Sequence, residues 1–196
     1  MWAFKFLRVA VLISVVMGST AYAQILLGQT AGFSGPVAAG VKEAAEGAKL
    51  YFDSVNAKGG INGQKIELIS LDDKFDPKLA ADNARILIEE KNVIGLFLTR
   101  GTPHNEAIVP ILDKYGVALV APSTGAMSLH QPVLKHVFNV LATYQREAEK
   151  AVAHLAALSM PKIATVQPDH SLATPTLTRA QKGPAPARPE PGSRAQ

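Results

Sequence analysis

Three short stretches carry the residue types best suited to holding a small molecule: Phe33-Ser34-Gly35-Pro36, Gly101-Thr102-Pro103 and Ser123-Thr124-Gly125. Gly101-Thr102-Pro103 stands where an apolar run hands over to a helical pattern. Free backbone N–H groups at a helix start, with a threonine hydroxyl beside them, form a small anion site. The plainer reading is an ordinary helix start with proline in its first turn. Ser123-Thr124-Gly125 holds the corresponding place after the next apolar run. Ligands of open parallel sheets bind outside the carboxyl ends of the strands. Two hydroxyl-bearing, glycine-containing loops at that edge bring the binding reading level with the plain one, and both stand on these residues alone.

Other chemistries find little support. The Phe33 to Pro36 loop lacks the G-x-G-x-x-G spacing of dinucleotide sites, and the chain has no G-x-x-x-x-G-K-[ST] phosphate loop. Asp72 and Asp73 have the types of a paired-carboxylate or metal site, but a solvated strand end ahead of a helix capped by Asp76 is the expected reading. His104, His130, His136, His154 and His170 show no metal-ligand spacing, so surface positions are expected; His104, one turn into a helix beside the candidate anion site, is the one that stands out. No G-x-S-x-G elbow occurs, and no serine is paired with a base. The chain is expected to bind rather than catalyse, with no metal and no cofactor.

Charge and cysteine content narrow the partners. The formal charge is +4 over 196 residues, yet 14 basic and 14 acidic residues lie between Gln24 and Gln167. A neutral body argues against nucleic acid, whose binding needs clustered Lys and Arg. The absence of cysteine excludes disulfides, thiol chemistry and a lipid anchor on cysteine. Met1 to Ala23 carries Lys5 and Arg8, an apolar run from Val9 to Met17, then Ala21-Tyr22-Ala23. This is the pattern of a secretory signal peptide cleaved between Ala23 and Gln24. The alternative, an uncleaved membrane anchor, is disfavoured because a span needs about 20 apolar residues.

The elements that must position the loops follow from periodicity. Strand-like runs alternate with helix-length amphipathic segments, which predicts an α/β domain whose parallel sheet is flanked by helices on both faces. Strands are expected at 25–28, 65–71, 93–98 and 117–120, with short extended pieces at 137–140 and 163–166. Helices are expected at 38–57, with a stripe that includes Val41, Leu50, Tyr51 and Phe52; from Asp76-Pro77 to about Lys91, with Leu79, Ala80, Ala84, Leu87 and Ile88 inward; from Thr102 to about Tyr115; and at 144–158. Asn62-Gly63 is a two-residue hairpin turn. After Val166, six of the 13 prolines fall between Pro168 and Pro191 without apolar periodicity, the composition of a disordered tail.

These residues resemble a known family. Gly35-Pro36, Asn56-Ala57-Lys58-Gly59-Gly60-Ile61-Asn62-Gly63, Asp72-Asp73-Lys74-Phe75-Asp76-Pro77, Gly101-Thr102-Pro103 and Pro122-Ser123-Thr124-Gly125 are similar to the periplasmic leucine/isoleucine/valine-binding proteins. Those are solute-binding components of ABC importers, with the type I periplasmic binding protein fold. The resemblance covers Gln24 to about Val166. It implies a signal peptide at 1–23, a first lobe at 24–140, the start of a second lobe at 141–167 and a tail at 168–196. It also implies a cleft ligand, a branched-chain or related amino acid, whose α-carboxylate is held by Thr99, Gly101, Thr102, Ser123, Thr124 and Gly125, with Tyr144 approaching from the second-lobe side. Partners would be that ligand and inner-membrane permease subunits, in the periplasm. The second lobe is mostly missing after Val166, which is read as a truncated gene product, a frameshift after about Val166, with impaired binding. The alternatives are an extracytoplasmic ligand sensor of the same fold and, from another class, an exported α/β enzyme.

Overall fold

The structure, a computed structural model, describes residues 24–160. The expected signal peptide, the strand at 163–166 and the proline-rich tail lie outside the described residues. Five strands form one parallel sheet in the order β2-β1-β3-β4-β5: β1 (Ile25–Ala31), β2 (Ile66–Asp72), β3 (Gly95–Phe97), β4 (Ala118–Val120) and β5 (Val137–Phe138). Helices α1 (Ala38–Ala57), α2 (Pro77–Glu89), α3 (Thr102–Tyr115) and α4 (Tyr144–Ala157) follow β1, β2, β3 and β5 in turn. The α/β class and parallel sheet expected from the sequence are therefore present.

One face of the sheet holds the core. Ala80, Ala84 and Leu87 of α2, Ile108 and Leu112 of α3, Leu96 of β3 and Leu119 of β4 are all fully buried in one cluster. The small alanines let α2 approach the strands closely, and close packing is where dispersion contacts accumulate. Gly28 serves the same approach, since a Cβ there would lie 3.2 Å from Leu87 Cβ of α2, as well as 2.9 Å from Leu96 Cδ2 on β3. Leu79, expected inward, is 38 % exposed. It lies on the flank of the stripe that Ala80, Ala84 and Leu87 define.

The opposite face is covered more thinly. Of the α1 stripe only Val41 is fully buried, while Leu50 and Tyr51 stand mostly in solvent. The Phe52 ring meets Phe97 with centroids 5.6 Å apart. A gap of about 390 Å³ between α1 and β2 is lined by Ile66 and Leu68 with Lys42, Glu46 and Lys49. Val120 and Phe138 continue that face as exposed apolar residues.

Local signals match where they have a local cause. Asp76 caps α2, its carboxylate accepting from Lys78 N at 2.7 Å and Leu79 N at 3.2 Å, with Pro77 next. Asn62 (φ 51°) and Gly63 (φ 81°) form the tight turn, closed by paired bonds between Ile61 and Gln64. Strand β1 runs three residues beyond its expected end. Gln29 and Thr30 are polar, yet both are buried and bonded: Gln29 Nε2 donates to Leu98 O (3.1 Å), Ser70 Oγ donates to Gln29 Oε1 (2.8 Å), and Thr30 Oγ1 donates to Asp73 Oδ2 (3.0 Å). Replacing Asp76 by Ala removes the cap and is expected to destabilise the fold by about 1 kcal/mol. A urea denaturation curve with an unchanged midpoint would contradict that assignment.

Candidate functional site

Adjacent strands bring the two hydroxyl loops together. The β3/β4 register pairs Phe97 with Val120 and continues, at the same offset, to a bridge between Arg100 and Ser123. Leu98 N donates to Val120 O (3.1 Å) and Ser123 N to Thr99 O (2.7 Å). Between those bonds the two chains turn in step, with Leu98 at φ 55° and Ala121 at φ 54°. Left-handed backbone at non-glycine residues is costly and is kept only where the surroundings over-determine it.

The turn leads into α3. Gly101 caps the helix at φ 99°, ψ 139°, a conformation suited to glycine, and a Cβ there would lie 2.5 Å from His104 Nδ1. Asn105, fully buried, clamps the loop. Its Nδ2 donates to Gly101 O (2.6 Å), and its Oδ1 accepts from the Thr99 hydroxyl (2.5 Å). Helix α3 then presents its first-turn N–H groups toward the loop.

Three hydroxyls meet at this edge. Thr102 Oγ1 and Thr124 Oγ1 are 2.6 Å apart, and Thr124 Oγ1 and Tyr144 Oη are 3.2 Å apart. Ala126 N donates to Thr124 Oγ1 (3.2 Å). They line a cavity of about 620 Å³, open to solvent, with Gly101, Ser123, Arg100, His104, Phe75, Val37, Pro103 and Leu141. That volume falls within the range of small-molecule sites. No carboxylate is among its lining residues.

Of the residues singled out from the sequence, Gly101, Thr102, Ser123, Thr124 and Tyr144 line this cavity. Thr99 and Gly125 stand behind its wall. The Thr99 hydroxyl is spent on Asn105. Gly125 lets α4 approach: its O accepts from Tyr144 N (2.8 Å), and a Cβ there would lie 2.6 Å from Ala142 O. Arg100, Asn105 and Phe75 were not singled out. The spacing of Asn105 four residues after Gly101 was the signal for the clamp, since such a side chain reaches back to a loop carbonyl.

Two expectations are corrected here. His104 is not a surface residue; it is 2 % exposed, with its ring stacked on Phe75 at 4.4 Å between centroids. Asp72 and Asp73 are not a jointly solvated strand end, because Asp73 is fully buried. Burial raises the Asp73 carboxyl above its ordinary value, against the Phe75 N–H and Thr30 hydroxyl that bond it. Asp72 is held below its ordinary value by the Ser34 side chain first, then by the N–H groups of Lys74, Ser34 and Phe33. Among the described residues no cluster of three or more His, Asp or Glu is placed to hold a metal ion.

Paired hydroxyl loops at the end of a parallel sheet, fronted by a helix start, frame an open cavity on an α/β lobe. A family model for periplasmic binding proteins matches residues 24–183, and the chain belongs to that family. The match runs past Val166, into the segment that the sequence pattern marks as a tail. A Leu/Ile/Val-binding protein homologue of Brucella melitensis is 32 % identical over 143 residues, covering 72 % of this chain and 38 % of that relative. An extracellular ligand-binding receptor from Verminephrobacter eiseniae superposes with a TM-score of 0.75 at 33 % identity, covering 82 % of this chain and 45 % of the other. A branched-chain amino acid transporter substrate-binding protein from Streptococcus pneumoniae, in complex with isoleucine, gives a TM-score of 0.63 at 25 % identity, with 68 % and 38 % covered. The chain spans about two fifths of the length of the curated relatives it matches. The family is one of periplasmic solute-binding proteins rather than enzymes, and the fold is that of type I periplasmic binding proteins. No helix among the described residues is long and apolar enough to cross a membrane.

The Asp72 geometry gives a pH dependence with a definite sign. A carboxyl whose folded pKa is depressed contributes stability above its unfolded value of 3.8, and loses it as pH falls through the folded value. Asp73, raised, acts in the opposite sense. The amides of Phe33, Ser34 and Lys74 are therefore expected to lose hydrogen-exchange protection together below about pH 4. Asp72→Asn is expected to abolish that acid step; a step of equal size in the variant would refute the anchoring role.

Proposed function

We propose that this chain is the solute-binding component of an ABC importer, acting in the periplasm on a small amino-acid-like carboxylate. The observation that carries this reading is the convergence of the Thr102, Thr124 and Tyr144 hydroxyls at the start of α3. A carboxylate seated there accepts hydrogen bonds from hydroxyls and from first-turn N–H groups, and it gains from the positive end of the helix. Charge-assisted bonds of this kind are roughly twice as strong as neutral ones. The ligand is bound without chemical change, and delivery to permease subunits in the inner membrane follows from the same reading. The residues proposed to grip it are Gly101, Thr102, Ser123, Thr124 and Tyr144, with Thr99 and Gly125 shaping the loops behind them.

The open cavity supports weak binding. Good small-molecule sites bury about 70–90 % of their ligand, and this cavity is open to solvent. Ligand-observed NMR on the full secreted chain, with leucine, isoleucine, valine and glutamate, is expected to detect millimolar binding. Thr124→Val is expected to weaken it about tenfold, by about 1.4 kcal/mol. Absence of transfer to any amino acid, or transfer indifferent to Thr124→Val, would overturn the assignment of the site; micromolar affinity by calorimetry would overturn impaired binding alone.

Export is proposed through cleavage of the N-terminal signal. Mass spectrometry of the protein recovered from periplasm is expected to find a mature chain beginning at Gln24. Retention of residues 1–23 on the purified protein would favour the membrane-anchor alternative.

A further inference from the structure

The cavity beside Thr102 and Thr124 is lined by the guanidinium of Arg100 and by no carboxylate. Arg100 lines it and makes no ion pair among the described residues. Its guanidinium reaches the start of α1, where it lies beside Gly40: a Cβ built there would be in ordinary contact, 3.8 Å from Nη1 and 4.0 Å from Nη2. The α3 start adds its own positive potential. The lining residues include no Asp or Glu to offset either.

A second observation comes from α3 itself. His104 is 2 % exposed, lines the same cavity, and neither of its ring nitrogens has a hydrogen-bond partner. Buried polar groups are nearly always paired, so an unpaired buried imidazole marks a place where a partner is expected. A neutral imidazole offers one donor and one acceptor. Apolar side chains of the leucine type can satisfy neither nitrogen, and they leave Arg100 unpaired as well.

We propose that this site takes small dicarboxylates, acidic amino acids among them, in preference to branched-chain amino acids. One carboxylate sits on the Thr102 and Thr124 hydroxyls at the α3 start. The second pairs with the Arg100 guanidinium, whose planar fork fits a carboxylate with two parallel bonds, and His104 supplies a further hydrogen bond once the ligand is seated. This rests on the solute-binding reading of the same cavity and adds the class of solute to it.

The test is a ligand-observed NMR titration of the full chain with glutarate, glutamate and leucine. Glutarate and glutamate are expected to bind at least about tenfold more tightly than leucine. Arg100→Gln is expected to bring that ratio close to one, and His104→Gln to reduce it in part, with far-UV circular dichroism reporting whether each variant is folded. Wild-type protein supplies an independent measure that needs no variant: dicarboxylate affinity is expected to fall more steeply with added salt than leucine affinity. Leucine binding as tightly as the diacids, or equal salt dependence for both, overturns the dicarboxylate preference and leaves the solute-binding function standing. Binding of none of the three overturns both.

Discussion

The site depends on one constraint: β3 and β4 stay in register after their regular strands have ended. Because Ser123 N still donates to Thr99 O at 2.7 Å, the loops leaving the two strands cannot drift apart. The matched left-handed turns at Leu98 and Ala121 then throw both loops to the same side. Each such turn costs about 1–2 kcal/mol at a residue with a side chain. The cost is borne at two positions directly opposite one another, which is how Thr102 and Thr124 come to lie within 2.6 Å. Without the continued ladder, two threonines twenty-two residues apart would be unrelated surface hydroxyls.

Behind this edge, polarity is buried only where it is matched. Gln29 bridges β2 and the turn at Leu98, Thr30 joins Asp73 to β1, and Asn105 ties Gly101 to Thr99. These bonds replace the water that such groups would otherwise demand. They fix the loops as a rigid support, on which Tyr144 and α4 are seated through Gly125. Among the described residues the exceptions are Asn139 Oδ1, Gln145 Oε1 and the imidazole of His104, packed on Phe75 with both nitrogens unanswered.

How much of this was legible in the sequence divides by the range of the cause. The α1 span, the Asp76 cap with Pro77, and the Asn62-Gly63 turn rest on neighbours within a few residues, and each was read at its observed place. The order of elements and the two hydroxyl loops were also legible, because strand and helix periods alternate so regularly. Features set by distant partners were not. Gln29 and Thr30 look like loop residues until Ser70, Leu98 and Asp73 arrive from elsewhere in the sheet. Asp73 looks solvated beside Asp72 until the fold closes over it. Leu79 counts as apolar but falls on the flank of its helix, and the bond between the Thr99 hydroxyl and Asn105 exists only once α3 folds back on the loop.

Gly101 is held by two separate demands, its own φ of 99° and the His104 ring pressed against it. Any side chain there would collide and strain the backbone at once, so this position is closed to substitution. Arg100 and His104 on either side carry no comparable backbone restriction. On the proposed reading of the cavity, a loop built in this way separates what anchors a solute from what distinguishes one solute from another. Descendants of such a chain would then exchange their cargo by altering two nearby positions while Gly101 stayed unchanged.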